Sequence, residues 1–374
     1  MALLTDDQKM LQETAASFLR DEGGPAKQLR HWRDTGCSDG YGTDFWTQFA
    51  ELGLTGICIP ESHGGLGLGA TEAALVLEEI GRNLTPSPFL TTAVAGVRAI
   101  EGTAHADRWY PGILSGESVL ALAVDEGKRH RPEATAMTAS RQGNGFVLNG
   151  AKQFVVHGNS ADMVLVAART AGSTGETDGI TLFAVDKGAA KGDTATLADS
   201  SKAARLTFDN VAVDADAVVG EVDNGWAPLS RALGAGRAGA AAELVGVAAG
   251  ASDMTVDYLR QRKQFGKFIG EFQALQHRAA HLYGEIEIAR AAALKAAAAL
   301  DNGDERADLW VSVAKAKAVA SAALAVQEGV QMHGGIGMTD EHDIGLYMKR
   351  EAVLSELFGD ERYHRVRVAE LSGY

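Results

Sequence analysis

The feature that most constrains the fold is a block of strand-like sequence, residues 118–220, set between two long helical stretches. Short apolar runs at 119–124, 146–148, 163–166 and 180–185 alternate there with Gly, Asn, Asp and Ser. Apolar runs of this length, bounded by turn-forming residues, are typical of strands in a compact β domain. We therefore predict a central β domain over residues 118–220.

The sequence on either side of this block has helical character. Thr5 is a candidate helix cap, and the apolar residues within 10–19 then recur at helical spacing. After Gly225 the chain is rich in alanine, a strong helix former, as far as Leu357. The order of helices, strands and helices predicts an α+β chain. Its expected parts are an N-terminal α-helical domain at 1–117, a central β domain at 118–220 and a C-terminal helical bundle domain at 221–374.

Charge and cysteine content argue against several classes of function. The 374-residue chain has 35 basic and 49 acidic side chains and a formal charge of −14, which disfavours nucleic acid and anionic membranes as partners. Cys37 and Cys58 do not form a Cys-x-x-Cys pair, so no disulfide framework or thiolate metal site is expected. The N-terminal residues lack a signal-like apolar run, and we expect no apolar stretch long enough to cross a bilayer. These features predict a cytoplasmic protein.

Two glycine-containing motifs are candidates for nucleotide binding. Arg262 stands close to Phe265 and Gly266; a guanidinium can pair with pyrophosphate, and an aromatic ring can stack on a purine. Further along, Gln331 precedes the glycines of 334–337, which would let phosphates approach main-chain N–H groups. Taken singly, each motif is better explained as a basic helix end or a helix stop. Their combination predicts a dinucleotide site.

Two other constellations are poorer candidates. A dinucleotide fingerprint needs a strand directly before its glycines. Pro60 would interrupt such a strand before the glycine-rich run 64–69. We predict a loop there. His277 and His281 have metal-ligand spacing on one helix face, but Arg278 stands where a zinc protease has its glutamate. We expect no metal site.

Longer segments resemble a known family. Residues 262–276 read RKQFGKFIGEFQALQ and residues 331–338 read QMHGGIGM, and together with residues 50–69 and 146–158 they resemble the acyl-CoA dehydrogenase family of flavoproteins. The resemblance extends over nearly the whole chain. It implies an N-terminal α-helical domain, a central β-barrel-like or β-sandwich domain and a C-terminal four-helix bundle, usually assembled as tetramers.

The resemblance also implies an activity and a cofactor. The activity is α,β-desaturation of an acyl-CoA thioester with FAD, as in fatty acid or steroid side-chain beta-oxidation, and an electron-transferring flavoprotein is the expected electron acceptor. In this family FAD lies at a subunit interface. By resemblance, Arg262 contacts the pyrophosphate, Phe265 the adenine end, and Gln331 with Gly334 and Gly335 the adenosine diphosphate of a flavin seated on the neighbouring subunit.

The elements that hold the flavin ring within one chain depart from the family pattern. Residues 125–130 read DEGKRH, where the family has Thr-Glu-Pro followed by small and hydroxyl-bearing residues. Residues 154–156 read FVV, where the family has Trp-Ile-Thr. A valine at 156 cannot make the hydrogen bond to flavin N5 that the threonine would make.

The catalytic base is also missing from its family positions. The glutamate that removes the α-proton aligns with Gly359, and its alternative location aligns with Gly236. Glycine cannot accept a proton, so the candidate base is Asp360, with Glu356 or Glu361 behind it. Asp360 is displaced by one position and is one methylene shorter than glutamate, so a solvated turn residue is the competing interpretation.

Three functional hypotheses follow. The preferred one is a partner subunit of a heterotetrameric acyl-CoA dehydrogenase, which completes the FAD site of a second, catalytic acyl-CoA dehydrogenase-like subunit. The alternative is a self-sufficient homotetramer that uses Asp360 as base. The third, from another class, is a noncatalytic scaffold or binding protein, for which the acidic charge disfavours nucleic acid as the ligand.

Overall fold

The computed structural model describes residues 4–374, which fold into two compact units. The first unit combines the chain up to His31 with residues 70–86 and 237–374, and the second combines 32–69 with 87–236. The predicted domain boundaries after residues 117 and 220 stay predictions. The α-helices are α1 (Asp6–Glu22), α2 (Leu29–Asp34), α3 (Thr43–Glu51), α4 (Ala70–Arg82), α5 (Val97–Ile100), α6 (Ala104–Leu114), α7 (Trp226–Gln261), α8 (Gln273–Asp301), α9 (Ala307–His333), α10 (Ile344–Glu356) and α11 (Glu361–Leu371).

The second unit contains a mixed β-sheet. Its strands are β1 (Leu120–Ala123), β2 (Thr138–Gln142), β3 (Gly145–Val156), β4 (Met163–Arg169), β5 (Ile180–Asp186), β6 (Lys191–Thr196), β7 (Lys202–Val213) and β8 (Val218–Val219). They lie in the order β6-β7-β3-β2-β4-β5-β8, and β1 pairs with β4 in parallel. The predicted strand segments therefore lie in β1, β3, β4 and β5.

Strand β4 is buried along its whole length and ends at Arg169. The Arg169 guanidinium donates to the backbone carbonyls of five residues in the neighbouring turns, at 2.8 to 3.4 Å: Glu133, Thr135, Ala171, Glu176 and Asp178. A buried cation is stable only when its hydrogen bonds are satisfied. Arg169 thus ties the turns at the end of the sheet together.

In the first unit, α4 crosses α7 at very close range. A Cβ added to Gly246 of α7 would overlap the backbone carbonyl oxygen of Glu78, and a Cβ added to Gly81 of α4 would overlap that of Glu243. Only glycine lets two helix backbones approach this closely. The glycines of α7 therefore determine where α4 packs.

Helix α9 lies in the core of the C-terminal bundle, packed against α8, α10 and α11. It shows that one sequence expectation was wrong, because residues Ala307–Met338 are long and apolar enough to span a membrane by length and composition. The most apolar window is 61% buried within the fold. The apolar residues of α9 therefore serve as bundle core.

Two local predictions near the N-terminus are confirmed. Thr5 caps α1, since its hydroxyl accepts from the Gln8 amide at 3.2 Å while the Gln8 side chain accepts from the Thr5 amide at 3.0 Å. The glycine-rich run 64–69 is a loop, which leads from the 3-10 turn Glu61–His63 into α4.

Candidate functional site

The first predicted motif forms a β-hairpin between α7 and α8. Strands β9 (Lys263–Gln264) and β10 (Lys267–Phe268) pair antiparallel, with Lys267 opposite Gln264. The two residues of the turn, Phe265 and Gly266, both have positive φ angles, 53° and 79°. Two-residue turns of this kind fit the twist of a hairpin. The turn holds the Phe265 ring 90% exposed at the tip.

The cations of this hairpin have different surroundings. The Lys263 ammonium lies 4.6 Å from the centre of the Phe268 ring, and the Lys267 ammonium lies 4.2 Å from that of Phe272. Both are cation–π contacts within the same segment. Arg262, at the base of the hairpin, is exposed, so its guanidinium is accessible to an anionic ligand.

The second predicted motif follows directly on α9. Gln331 is exposed in the last turn, and Gly334 and Gly335 are exposed just beyond the helix. Gly334 has a φ of +65°, and a Cβ added to either glycine would meet no heavy atom within 4 Å. The main chain at these two positions is therefore open to a phosphate or a ribose.

An aromatic stack brings the two motifs to the same end of the bundle. Tyr258, one turn before Arg262, stacks on His333, with ring centres 4.4 Å apart and planes at 29°. His342 lies 4.4 Å from His333 on the same cluster. His333 Nδ1 donates to the Gly329 carbonyl at 2.7 Å, and burial lowers the pKa of His333. This stack joins the ends of α7 and α9, and no contiguous sequence motif points to it.

Gly359, the position that the resemblance assigns to the base, lies in a loop with unusual backbone angles. Phe358 and Gly359 both have positive φ values, 60° and 111°. A Cβ added to Gly359 would lie 2.5 Å from Cδ1 of Tyr363 and 3.0 Å from Nε2 of His364. Real Cβ contacts are not this short, so no larger residue fits at 359 unless Tyr363 moves.

A buried lysine fixes the backbone of this loop. Lys315, in the middle of α9, is fully buried and donates to the carbonyls of Leu354, Ser355 and Gly359 at 3.0, 3.1 and 3.1 Å. Burial lowers the pKa of Lys315 to about 7. This role was hard to predict, because Lys315 is one polar residue in an alanine-rich helix.

Arg237 fixes the same loop from α7. It is 5% exposed, and it donates from Nε to the Phe358 carbonyl at 3.4 Å and from a terminal nitrogen to the Tyr363 hydroxyl at 2.8 Å. Its guanidinium carbon lies 5.4 Å from the centre of the Tyr363 ring. Gly236, the other family position for the base, is buried in the same helix.

The carboxylate that directly follows Gly359 in sequence has a structural role. Asp360 is the N-cap of α11, and its side chain accepts from the Tyr363 amide at 2.6 Å. A capping aspartate stabilises a helix by roughly 1 kcal/mol. Glu361 in turn pairs with Arg365 at 2.5 Å. Catalysis by Asp360 stays a prediction.

In the second unit, the loop after β1 is held by its own acidic residues. The Asp125 carboxylate lies 2.9 and 3.0 Å from Nδ1 of the buried His130, and it accepts from the Arg131 amide at 3.2 Å. Lys128 and Arg129 between them are exposed. The loop is therefore closed on itself by an aspartate–histidine clamp.

Glu126 is bound within the same loop. Its carboxylate accepts from the amides of Ala136 and Met137 at about 3.0 to 3.1 Å, and from the buried Lys152 ammonium at 2.7 Å. Lys152 also donates to the Val124 carbonyl at 2.9 Å, and burial lowers the pKa of Lys152. This carboxylate supports the fold and is not available as a base.

Strand β3 ends where the family has the threonine that contacts the flavin ring. Phe154 has a φ of +54°, and the pairing of β3 with β7 shifts register between Lys152 and Val155. Val155 is fully buried and Val156 is partly exposed. Valine offers no hydrogen-bond donor, so position 156 presents only an apolar side chain.

Comparison with known proteins assigns the family. Models of the N-terminal, middle and C-terminal domains of acyl-CoA dehydrogenase match residues 5–117, 123–211 and 223–372. The chain belongs to the acyl-CoA dehydrogenase family. Members of this family are FAD-binding flavoproteins and oxidoreductases that act on CH–CH donors, desaturating acyl-CoA thioesters.

Individual relatives agree with this assignment. The cyclohex-1-ene-1-carbonyl-CoA dehydrogenase of Geobacter metallireducens is 34% identical over 321 residues, 83% of this chain and 84% of that protein. The acyl-CoA dehydrogenase IpdE2 of Mycobacterium tuberculosis is 33% identical over 364 residues, 96% of this chain and 94% of that protein. The solved steroid ACAD named Tcur3481-Tcur3483 is 30% identical, with a TM-score of 0.88 over 98% of each chain. The predicted α+β acyl-CoA dehydrogenase fold is confirmed.

The residues of this acyl-CoA dehydrogenase fit one end of FAD better than the other. An exposed guanidinium, an exposed ring and open glycine backbone suit the pyrophosphate and adenosine, at one end of the bundle. The ring-binding elements fit less well, since Val156 lacks the hydroxyl that the family's threonine offers. Contact of Arg262 or Phe265 with FAD stays a prediction.

Proposed function

We propose that this chain is the partner subunit of a heterotetrameric acyl-CoA dehydrogenase, completing the FAD site of a second, catalytic subunit. The observation that carries the proposal is the loop at Gly359, where the family's base would lie. A Cβ on this residue would lie 2.5 Å from the Tyr363 ring. The position therefore has neither a carboxylate nor the space for one.

The chemistry of desaturation explains why this loss matters. A carboxylate must remove the α-proton of the thioester within hydrogen-bond reach, and the thioester oxygen must be hydrogen-bonded to make that proton acidic. When FAD is bound, it supplies the acceptor for the β-hydride. In this chain Asp360 is committed to capping α11 at 2.6 Å. We infer that the base comes from the catalytic subunit.

The retained features support a role in cofactor binding across an interface. Arg262 and Phe265 lie in an exposed hairpin. Gln331, Gly334 and Gly335 lie at the same end of the bundle, where the main chain is exposed. In the proposed assembly these five residues bind the nucleotide end of the FAD that the catalytic subunit holds by its ring. The substrate is an acyl-CoA, and an electron-transferring flavoprotein accepts the electrons.

One solved relative supports a two-chain assembly. The steroid ACAD that shares 30% identity with this chain carries the paired name Tcur3481-Tcur3483. We extend this pairing to the present chain because it has lost both base positions, Gly359 and Gly236, together with the hydroxyl at position 156.

The test compares the chain alone with the chain coexpressed with a second acyl-CoA dehydrogenase-like protein that carries Tyr-Glu-Gly-Thr at the base loop. Flavin absorbance and turnover of a panel of acyl-CoA thioesters are measured in both preparations. We expect bound FAD and turnover in the coexpressed complex and neither in the lone chain. Stoichiometric FAD and turnover in the lone chain would refute the proposal.

Two substitutions at the hairpin test which residues bind the cofactor. Arg262→Ala is expected to lower the FAD content of the complex, because it removes an exposed guanidinium. Lys263→Ala is the matched control: it removes the same charge one residue away, but the Lys263 ammonium lies over the chain's own Phe268 ring. Equal FAD loss in both variants would show a general charge effect.

Asp360→Asn separates the proposal from the self-sufficient homotetramer. Asparagine caps helices as well as aspartate does, so the variant keeps α11 stable. We expect unchanged turnover in the complex. If the lone chain turns over and Asp360→Asn abolishes that turnover, Asp360 is the base and the homotetramer is correct.

A further inference from the structure

The ring of Tyr363 occupies the space beside Gly359. Tyr363 belongs to the first turn of α11, and both Cδ1 and Cε1 lie within 3.1 Å of the place where a Cβ on Gly359 would be. The nitrogen of His364 is 3.0 Å from the same place. The contact with Tyr363 is the shortest of these.

Two arginines hold the Tyr363 ring in this place. Arg237 donates to its hydroxyl at 2.8 Å, and the guanidinium carbons of Arg237 and Arg367 lie 5.4 and 6.0 Å from the ring centre. Arg367 is itself paired with Asp308 at 3.1 Å. The ring is therefore not a flexible side-chain end that could move away at little cost.

The backbone of the loop is held as firmly as the ring. The Gly359 carbonyl accepts from Lys315, and the Phe358 carbonyl lies within hydrogen-bond distance of both Arg237 and His364, at 3.4 and 3.2 Å. Neither the ring nor the loop can shift without breaking hydrogen bonds of buried side chains.

We propose that Tyr363, held by Arg237, excludes any side chain from position 359 and so keeps this chain without a base. The inference rests on the proposed function, since it assigns position 359 to the missing glutamate. Tyr363 acts here through the space that its ring occupies beside the loop. A single change of Gly359 to glutamate does not restore the base, because the tyrosine ring already fills the space.

A double-mutant cycle on the full chain tests the exclusion. Gly359→Ala is made in the wild-type, Tyr363→Ala and Tyr363→Phe backgrounds, and the melting temperature of each variant is compared with that of its own background. The backbone strain of alanine at a φ of +111° is the same in all three, so it cancels in the cycle. What remains is the overlap with the ring.

We expect the loss of melting temperature caused by Gly359→Ala to be at least about twofold larger in wild type than in Tyr363→Ala, since contacting sites are not additive. Tyr363→Phe keeps the ring atoms that Gly359→Ala would meet but removes the hydrogen bond from Arg237, so its loss should fall between those of wild type and Tyr363→Ala. Equal losses in all three backgrounds would overturn the inference. A loss in Tyr363→Phe as large as in wild type would overturn the part assigned to Arg237, since the ring would then block position 359 without that hydrogen bond.

This result is independent of the test of the proposed function. The cycle reports on space at position 359 and needs neither FAD nor a second chain. Bound flavin and turnover in the lone chain would refute the proposed heterotetramer. The proposal that Tyr363 excludes side chains from position 359 would be unaffected. Equal decreases in melting temperature in the three backgrounds would refute the proposed role of Tyr363. The proposed heterotetramer would be unaffected.

Discussion

Lys315→Met should change how the stability of this chain depends on pH. Lys315 is fully buried, and its ammonium donates to three backbone carbonyls in the segment 354–359. Methionine has a similar length and keeps the apolar packing, but it cannot donate. The buried carbonyls lose their donor, which lowers the free energy of unfolding. The cost of burying the ammonium also disappears, which raises the free energy of unfolding.

The pH dependence follows from the direction of the pKa shift. Burial lowers the pKa of Lys315 from 10.5 to about 7 in the folded chain. Between these two values the unfolded chain binds more protons at this site than the folded chain does, so the free energy of unfolding rises with pH. The rise due to Lys315 is about 2 kcal/mol between pH 7 and pH 9, since one pKa unit corresponds to 1.36 kcal/mol. Below about pH 6 Lys315 is protonated in both the folded and the unfolded chain, so its contribution to the free energy of unfolding hardly changes with pH.

Urea unfolding of wild type and Lys315→Met from pH 5.5 to pH 9 measures this contribution. The contributions of the other titrating groups cancel when the two free energies of unfolding are subtracted. We expect the stability of wild type relative to Lys315→Met to grow by about 2 kcal/mol from pH 7 to pH 9. Lys349→Met, in which the replaced side chain is 47% exposed, is the control and should give a flat difference. A flat difference for Lys315→Met would refute a buried lysine with a lowered pKa.

Three further outcomes are expected. Gly246→Ala should lower the melting temperature by roughly 5 °C or more, because the added methyl overlaps a carbonyl of α4; Gly284→Ala in α8, which meets open space, should not lower it. Calorimetry compares the two. Arg169→Met should speed amide exchange in the turns around it, because their carbonyls lose a shared donor. Phe265→Ala should leave the melting temperature within about 1 °C, since its ring is 90% exposed, yet lower the FAD content of the complex.

Local sequence patterns predicted the elements that depend on neighbouring residues. Strand β4 was predictable because its apolar run 163–166 is bounded by turn formers, and the cap at Thr5 because hydroxyl and amide side chains three apart satisfy each other. The same reasoning failed for α9. Length and hydropathy do not distinguish a membrane helix from a bundle core, and only the surrounding helices decide that.

The site was predictable where its residues form a contiguous motif and not where it depends on distant contacts. Arg262 and Gly334 stand out in the sequence, whereas the stack of Tyr258 on His333 joins positions 75 residues apart. The exclusion at Gly359 requires the ring of Tyr363 and the guanidinium of Arg237, which only the fold brings together. The resemblance to the family predicts that the glutamate is absent from position 359, and the structure adds the Tyr363 ring that occupies the neighbouring space.

The interleaving of the two units has a practical consequence for dissecting this protein. Helix α4 belongs to the same unit as residues 237–261 of α7, although 143 residues separate the end of α4 from the start of α7. A fragment that begins at residue 221 would carry the glycine face of α7 without the helix that normally covers it. We expect such a truncation to be insoluble, and coexpression of residues 70–86 as a separate peptide to rescue it.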